Sequence, residues 1–150
     1  MAIQRDRPYP SVNFLVDVGS GNTEGPTAGL FEVVFPEARL QVTEYRSGND
    51  KENEHRKLQT LTRYGNLILR RGAIASLDWY AWWNEIRNGD HNAMRTVTVQ
   101  LQNEDHSAVV LTWKFLRARP VSHQFGILNA MSPDPLVETL ELAFERLEME

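Results

Sequence analysis

The side chains of this 150-residue chain that could carry out chemistry are four histidines and a group of carboxylates near the C-terminus. A histidine acts as a metal ligand or general base when a second suitable group is held beside it. His55, His91, His106 and His123 do not have the paired spacing of a zinc site, and three of them fall in predicted loops or turns. The sequence therefore indicates solvent-exposed histidines and predicts no metal site.

The carboxylates at the end of the chain are the second candidate for catalysis. A glycosidase needs two carboxylates that face each other across a cleft. The acidic residues here instead favour a solvated or partner-facing edge, and they are Glu138, Glu141, Glu145, Glu148 and Glu150. The sequence has no nucleophile elbow, phosphate-binding loop or dinucleotide fingerprint. We therefore predict that the protein is not an enzyme and binds no cofactor.

A tryptophan-rich segment is the clearest predicted helix, over residues 76–88. Ser76 is a suitable N-cap, and Gly89 lies where a glycine ends a helix. Four large apolar residues follow at spacings of three and four and share one face, namely Trp79, Trp82, Trp83 and Ile86. Such a face could bind a sugar or a base, but aromatic residues at this spacing are more typical of a core that packs on a sheet.

Composition excludes several classes of protein. A net charge of −4 argues against a nucleic-acid binder that neutralises phosphates. The absence of cysteine removes disulfides, thiolate nucleophiles and cysteine-bound metals, and fits a chain folded in a reducing cytoplasm. The first residues lack the apolar segment of a signal peptide, and no run approaches the roughly 18 apolar residues of a membrane span.

Alternating apolar and polar residues predict a mainly β chain with one α-helix, in a single domain over residues 1–150. An extended arm, 1–11, contains Pro8 and Pro10. The predicted strands are 12–18, 30–35, 39–46, 67–71, 95–102 and 108–118. The last two predict a hairpin that ends at Pro120, with Val97, Val99 and Leu101 facing the core.

The sequence pattern alone leaves the structure of two segments undecided. The apolar residues of 136–148 fit a helical stripe, which periodicity favours. They also permit a strand with Leu136, Leu140, Leu142 and Phe144 facing inward and Glu138 as the exception. Residues 47–62 form a predicted long polar loop, and a loop of this length is usually functional or disordered.

The order and spacing of several blocks resemble the inner tube proteins of contractile injection systems. These include the tail tubes of T-even-like phages and of extracellular injection systems, with the type VI secretion tube protein as a more distant relative in fold. The blocks are Pro8-Tyr9 with 13–16, 44–49, 56–58, 67–72, the tryptophan helix with Asn88-Gly89, 113–115, 119–121, 128–130 and 138–147. The family's usual proline and glycine near Gln59-Thr60 are absent here.

The resemblance implies an antiparallel β-sandwich, or barrel-like fold, in which the final segment is a strand despite its helical periodicity. It implies a structural protomer that forms homo-hexameric rings stacked into a hollow tube. The implied partners are further copies of the chain, the surrounding sheath, the baseplate or spike, the tube terminator and the cargo in the lumen, which is effector protein or DNA. The implied location is a phage tail or an extracellular particle. The alternatives are a minor tube paralogue at the baseplate end and a monomeric ligand-binding β domain that uses the tryptophan helix.

Two sets of residues are candidates for assembly roles. We expect the first set to contact neighbouring subunits, and it comprises Tyr45, Arg46, Asn49, Asp50, Lys51, Glu52, Glu54, Arg56, Lys57, Arg70 and Arg71. The two adjacent arginines could instead guard a strand edge. We expect the second set, the uncharged face of the strand 95–102, to line the lumen, and it comprises Thr96, Thr98, Gln100 and Gln102.

Overall fold

The computed structural model describes residues 1–25 and 28–150. In these residues the chain forms nine β-strands and one α-helix. They are β1 (Phe14–Asp17), β2 (Glu32–Val34), β3 (Ala38–Tyr45), β4 (Arg56–Tyr64), β5 (Leu67–Gly72), α1 (Asp78–Arg87), β6 (Arg95–Gln102), β7 (Val109–Phe125), β8 (Val137–Ala143) and β9 (Arg146–Met149). The predicted class, mainly antiparallel β with one helix, is confirmed.

The 17-residue strand β7 joins the two layers of the sandwich. Its first half pairs with β6 and β9, and β6 pairs with β1, which makes layer A. Its second half pairs with β8, which leads through β5 to β2 and makes layer B. The crossing lies near Arg117, whose φ of 54° is left-handed. The predicted end of the strand at Pro120 is wrong, because this proline sits at a register shift where no ladder N–H is required.

The core lies between the two layers. Layer A contributes Val97, Val99 and Phe115, and layer B contributes Leu69 and Leu140, all of them buried. Val97, Val99 and Phe115 come from the alternating strands predicted from the sequence. Leu69 comes from the short predicted strand 67–71, whereas Leu140 lies in the segment whose periodicity favours a helix. The predicted β6–β7 hairpin is confirmed by its register, in which Val99 lies opposite Trp113.

The helix α1 closes the core but is shorter than predicted. Leu77 occupies the N-cap position without a side-chain hydrogen bond. The predicted cap at Ser76 is wrong, because its hydroxyl donates instead to the Asp78 carboxylate at 2.8 Å. Trp79 and Trp82 are fully buried, and the indole N–H of Trp82 donates to the Ala93 carbonyl at 2.7 Å. Because these two rings belong to the core, they cannot serve as a ligand platform.

The C-terminal segment forms two strands, as the resemblance implies, and not the helix that its periodicity favours. β8 lies between β5 and β7, which satisfy its backbone groups on both sides. Leu140 and Leu142 face inward, and so does Glu138, the one residue that breaks the apolar pattern. Its burial is explained by an ion pair with Arg71, described below.

Candidate assembly surfaces

The hairpin formed by β3 and β4 stands apart from the sandwich as a separate two-stranded sheet. The predicted loop 47–62 is therefore too long, because β4 begins at Arg56 and only 46–55 connect the strands. All eight residues of β3 are exposed, and so are eight of the nine residues of β4. Its apolar members are about half exposed, and they are Leu40, Val42, Tyr45, Leu58 and Leu61. An isolated two-stranded hairpin is only marginally stable in water, so this element needs a covering partner.

The tip of the hairpin, residues 46–55, is held by hydrogen bonds within the chain. The Arg46 guanidinium donates to the carbonyls of Asp50 and Glu52 at 2.9 and 3.0 Å. The Asp50 carboxylate accepts the backbone N–H of Ser47 at 3.1 Å. Two of the predicted contact residues, Arg46 and Asp50, thus shape the tip.

The other predicted contact residues of the hairpin are exposed. They are Tyr45, Asn49, Lys51, Glu52, Glu54, Arg56 and Lys57. Arg56 and Lys57 lie on β4 opposite Tyr45 and Glu44, and not in a loop. The tip therefore presents charged groups of both signs on a framework that is already ordered.

The two adjacent arginines of β5 have different environments. Arg70 pairs with Glu32 of β2 at 2.7 Å and is partly exposed. Arg71 is fully buried and pairs with Asp78 at 2.6 Å and Glu138 at 3.0 Å. The prediction that Arg71 contacts another subunit is wrong, because alternation along β5 turns its side chain into the core.

The buried pair Arg71–Glu138 forms the centre of a polar network. Glu138 also pairs with His123 at 2.8 Å, and the imidazole is only 7% exposed. The prediction of an exposed histidine is therefore wrong at this position. The Arg71 guanidinium lies 4.0 Å from the centroid of the Trp79 ring, a cation–π arrangement. The network ties β5, β7, β8 and α1 together.

The network shifts the pKa values of two of its members, Asp78 and Arg71. Burial alone would raise the pKa of Asp78, but the hydrogen bonds from Arg71 and Ser76 outweigh it and hold that pKa below its usual value. Burial alone would lower the pKa of Arg71, and the hydrogen bonds to Asp78 and Glu138 raise it instead. Both groups stay charged, so Arg71 and Asp78 form a structural ion pair within this network.

Sequence reasoning missed this network, although its signal was present. Leu67, Leu69 and Arg71 alternate along one strand, and Glu138, Leu140 and Leu142 alternate along another. In each strand a charged residue occupies the inward position next to two apolar residues, after them in the first strand and before them in the second. Opposite charges at inward positions of two strands indicate a buried ion pair. Among residues 1–25 and 28–150, no group of three or more histidine or acidic residues could hold a metal ion.

The predicted lumen residues share the outer face of layer A. Val97 and Val99 point into the core, so Thr96, Thr98, Gln100 and Gln102 point away from it. Their surroundings are not wholly uncharged, because Thr98 lies between Asp17 of β1 and Lys114 of β7. Lys114 is itself paired with Glu150 at 2.7 Å. The Lys114–Glu150 ion pair offsets the positive charge of Lys114 on the outer face of layer A.

A match to a family model establishes the family of this chain. Residues 10–148 match the model described as T4-like virus tail tube protein gp19. The chain belongs to this family. The resemblance to inner tube proteins predicted from the sequence is confirmed, and the chain is a tail tube protein of the contractile injection system type.

Solved structures agree with this assignment. A chain of the anti-feeding prophage baseplate is 26% identical, with a TM-score of 0.79 over 97% of both chains. A chain of the sheath–tube complex of the extracellular contractile injection system PVC, in its extended state, is 25% identical, with a TM-score of 0.80 over 95% of this chain and 91% of that chain. Hcp1 from Flavobacterium johnsoniae shares the fold, at 17% identity, with a TM-score of 0.54 over 91% of this chain and 93% of that chain. No curated protein matches the sequence.

The borders of this tail tube protein carry unpaired strand edges. In the part of the chain that the structure describes, each of four edges has a ladder partner on one side only: β1 and β9 in layer A, β2 and the second half of β7 in layer B. Exposed large apolar residues lie at or near the layer B edges, and they include Phe31, Val34, Val121 and Phe125. Such edges are templates for pairing with another chain. The helix found within residues 1–25 and 28–150 is too short and too polar to cross a membrane.

Proposed function

We propose that this chain is the protomer of the inner tube of a contractile injection system, in which six copies close into a ring and rings stack around a hollow lumen. The observation that carries the proposal is the combination of open sheet edges on both borders with a hairpin that is exposed on both faces. A monomer with these features leaves backbone groups and apolar side chains in water.

Ring formation follows from the position of the edges. β1 and β2 line one side of the sandwich, and β9 and the second half of β7 lie at the opposite ends of the two layers. A head-to-tail contact between different borders removes both sets of edges when the rotation closes. In the same proposal, the hairpin and its charged tip reach the next subunit or the next ring, and a contact that does not close generates a stack.

The remaining partners follow from this assembly. A tube protomer is surrounded by sheath, and its ends meet baseplate or spike proteins and a terminator. One similar chain comes from the PVC sheath–tube complex and another from the anti-feeding prophage baseplate. We propose that the chain is made in the bacterial cytoplasm, assembles into the particle, and conducts effector protein or DNA without catalysing a reaction.

Negative-stain electron microscopy of the purified chain tests the proposal. We expect rings with six-fold symmetry, and stacks of rings as the protein concentration rises, because both contacts are between identical copies. Sedimentation velocity at the same concentrations gives the mass of the assembly. Monomers alone at every concentration would contradict the proposal.

A minor tube paralogue at the baseplate end is a second candidate. It is favoured by the similarity to a chain of the anti-feeding prophage baseplate, which is about as strong as the similarity to the PVC sheath–tube chain. Quantitative mass spectrometry of the native particle separates the two. A copy number comparable to that of the sheath subunit indicates the main tube, and about one ring per particle indicates the paralogue.

The lumen assignment leads to a prediction at Thr98. We propose that the face formed by Thr96, Thr98, Gln100 and Gln102 lines the lumen, because these side chains let cargo slide without strong charge contacts. Arginine at Thr98 adds one positive charge per subunit there, so we expect tubes of normal diameter with a reduced cargo content in purified particles. Thr98→Ser is the matched control and retains the cargo. Unchanged cargo content in Thr98→Arg would place the lumen on another face.

A further inference from the structure

The sandwich has an open apolar cleft where β1 and β2 face each other. The cleft has a volume of about 420 Å³, and its walls come from the arm, both layers and the segment that surrounds β2. Phe14, Phe31, Phe35, Leu101 and Trp113 are among the residues that line it, and Phe35 packs on Trp113 with ring centroids 4.6 Å apart. Its acidic residue, Glu32, is already paired with Arg70. The cleft therefore suits an uncharged apolar occupant.

A matching segment lies at the other border of layer B. The connection that leaves β7, residues 126–131, contains Ile127, Leu128 and Met131, whose exposed fractions are 87%, 83% and 94%. This segment has no charged residue. These three apolar side chains are almost fully exposed to solvent. Exposed apolar groups of this kind mark a surface that a partner covers.

The segment is already shaped for docking. The Gly126 N–H donates to the Val137 carbonyl at 2.8 Å, which fixes its start. Asn129 accepts the Met131 N–H through its side chain at 3.0 Å and the Ser132 N–H through its carbonyl at 3.2 Å. A preordered segment loses little conformational entropy when it binds.

The register of layer B places Phe125, after which the segment begins, level with Phe31 at one end of the cleft. Glu32 lies opposite Arg70, Arg70 opposite Thr139, and Thr139 opposite Gln124. One residue further along in the same direction, Phe31 is at one edge and Phe125 is at the other. The intervening pair on this row, Arg71 and Glu138, points into the core, so Phe31 and Phe125 lie on the core side of the sheet.

We propose that the cleft of one copy receives residues 125–128 of the next copy in the ring. In this arrangement the β7 edge of the next copy pairs with β2 and continues layer B in the same register. Phe125 of the next copy then lies beside Phe31, and its Ile127 and Leu128 reach the mouth of the cleft. This inference rests on the proposed head-to-tail ring and identifies a contact between neighbouring subunits of that ring. We assign the cleft to a second copy because each copy carries the cleft on one border and the apolar segment on the opposite border.

Site-directed cross-linking tests the contact. The chain has no cysteine, so it gives no background with a thiol reagent. We expect the double variant Phe31→Cys with Ile127→Cys to give a ladder up to hexamer when assembled tubes are treated with a short bis-maleimide. The matched controls are the two single variants, which cannot link neighbours in a head-to-tail ring. A second pair, Ser11→Cys with Leu128→Cys, leaves the aromatic wall intact and applies if the first pair impairs assembly.

Each outcome has one meaning. A ladder from tubes of either double variant, absent from both its single variants and from dilute monomer, supports the proposal. Tubes that give no ladder with either pair overturn the cleft contact but leave the tube function standing, and the cleft is then free for a small apolar molecule. A cross-link within dilute monomers also overturns it. If the unmodified chain forms no rings, the proposed function fails and the cleft contact fails with it.

Discussion

Tube formation is expected to be lost when residues 46–55 are replaced by an Asn-Gly turn, while the monomer stays folded. Tyr45 and Arg56 are direct cross-strand partners, so a two-residue turn of this type can join them without a change of register. The tip lies outside the core between the two layers, so its removal takes away no core contact. What it removes is the charged surface that we propose reaches the neighbouring subunit or ring.

The measurements are electron microscopy for tubes and circular dichroism with thermal unfolding for the monomer. His55→Ala is the control, because it changes one exposed side chain of the tip outside the predicted contact set and should leave the tubes intact. Replacing 46–55 by a Gly-Ser segment of equal length keeps the reach of the tip but removes its side chains, so it separates length from charge. Tubes of normal length from the Asn-Gly variant would show that the tip has no part in assembly.

Arg71→Ala is expected to lower the free energy of unfolding of the monomer by about 3–5 kcal/mol, since it removes the guanidinium that pairs with the buried Glu138 carboxylate. Arg70 is the neighbouring residue on the same strand, and its pair with Glu32 is partly exposed. We expect Arg70→Ala to cost at most about 1 kcal/mol, because solvent screens such pairs. The two variants thus compare a buried and a partly exposed ion pair in one strand.

Urea unfolding of dilute monomer measures both changes without a contribution from assembly. The double variant Arg71→Met with Glu138→Leu removes both charges of the central pair, and we expect it to recover part of the loss because replacement by apolar residues is often tolerated. Equal destabilisation by Arg71→Ala and Arg70→Ala would contradict the assignment of Arg71 to the core network.

The location of the buried network has a consequence for assembly. Arg71, Glu138 and His123 hold β5, β8 and the second half of β7 together. The second half of β7 is also an open edge and leads into the exposed apolar segment. A charged network therefore fixes the geometry of a border that we propose pairs with another copy. Buried polar groups of this kind specify one arrangement more than they add stability, and we infer that role here.

Local patterns in the sequence determined much of the fold. The strict alternation of 95–102 and 108–118 predicts the hairpin and its inward residues, because a strand with one buried face has a period of two. The spacing of Trp79 and Trp82 predicts the buried face of the helix for the same kind of reason. The blocks spread along the chain were enough to predict the family.

Tertiary structure decided what these patterns left open. Residues 137–143 form a strand because β5 and β7 satisfy their backbone groups on both sides, and partners so distant in sequence leave no trace in local periodicity. Residues 56–64 form a strand through pairing with β3 and not through burial, so their polar composition suggested a loop. The inward direction of Arg71 depends on Glu138, which lies 67 positions away and supplies the opposite charge. The physical reason is common to all three cases: the deciding partner is near in space and far along the chain.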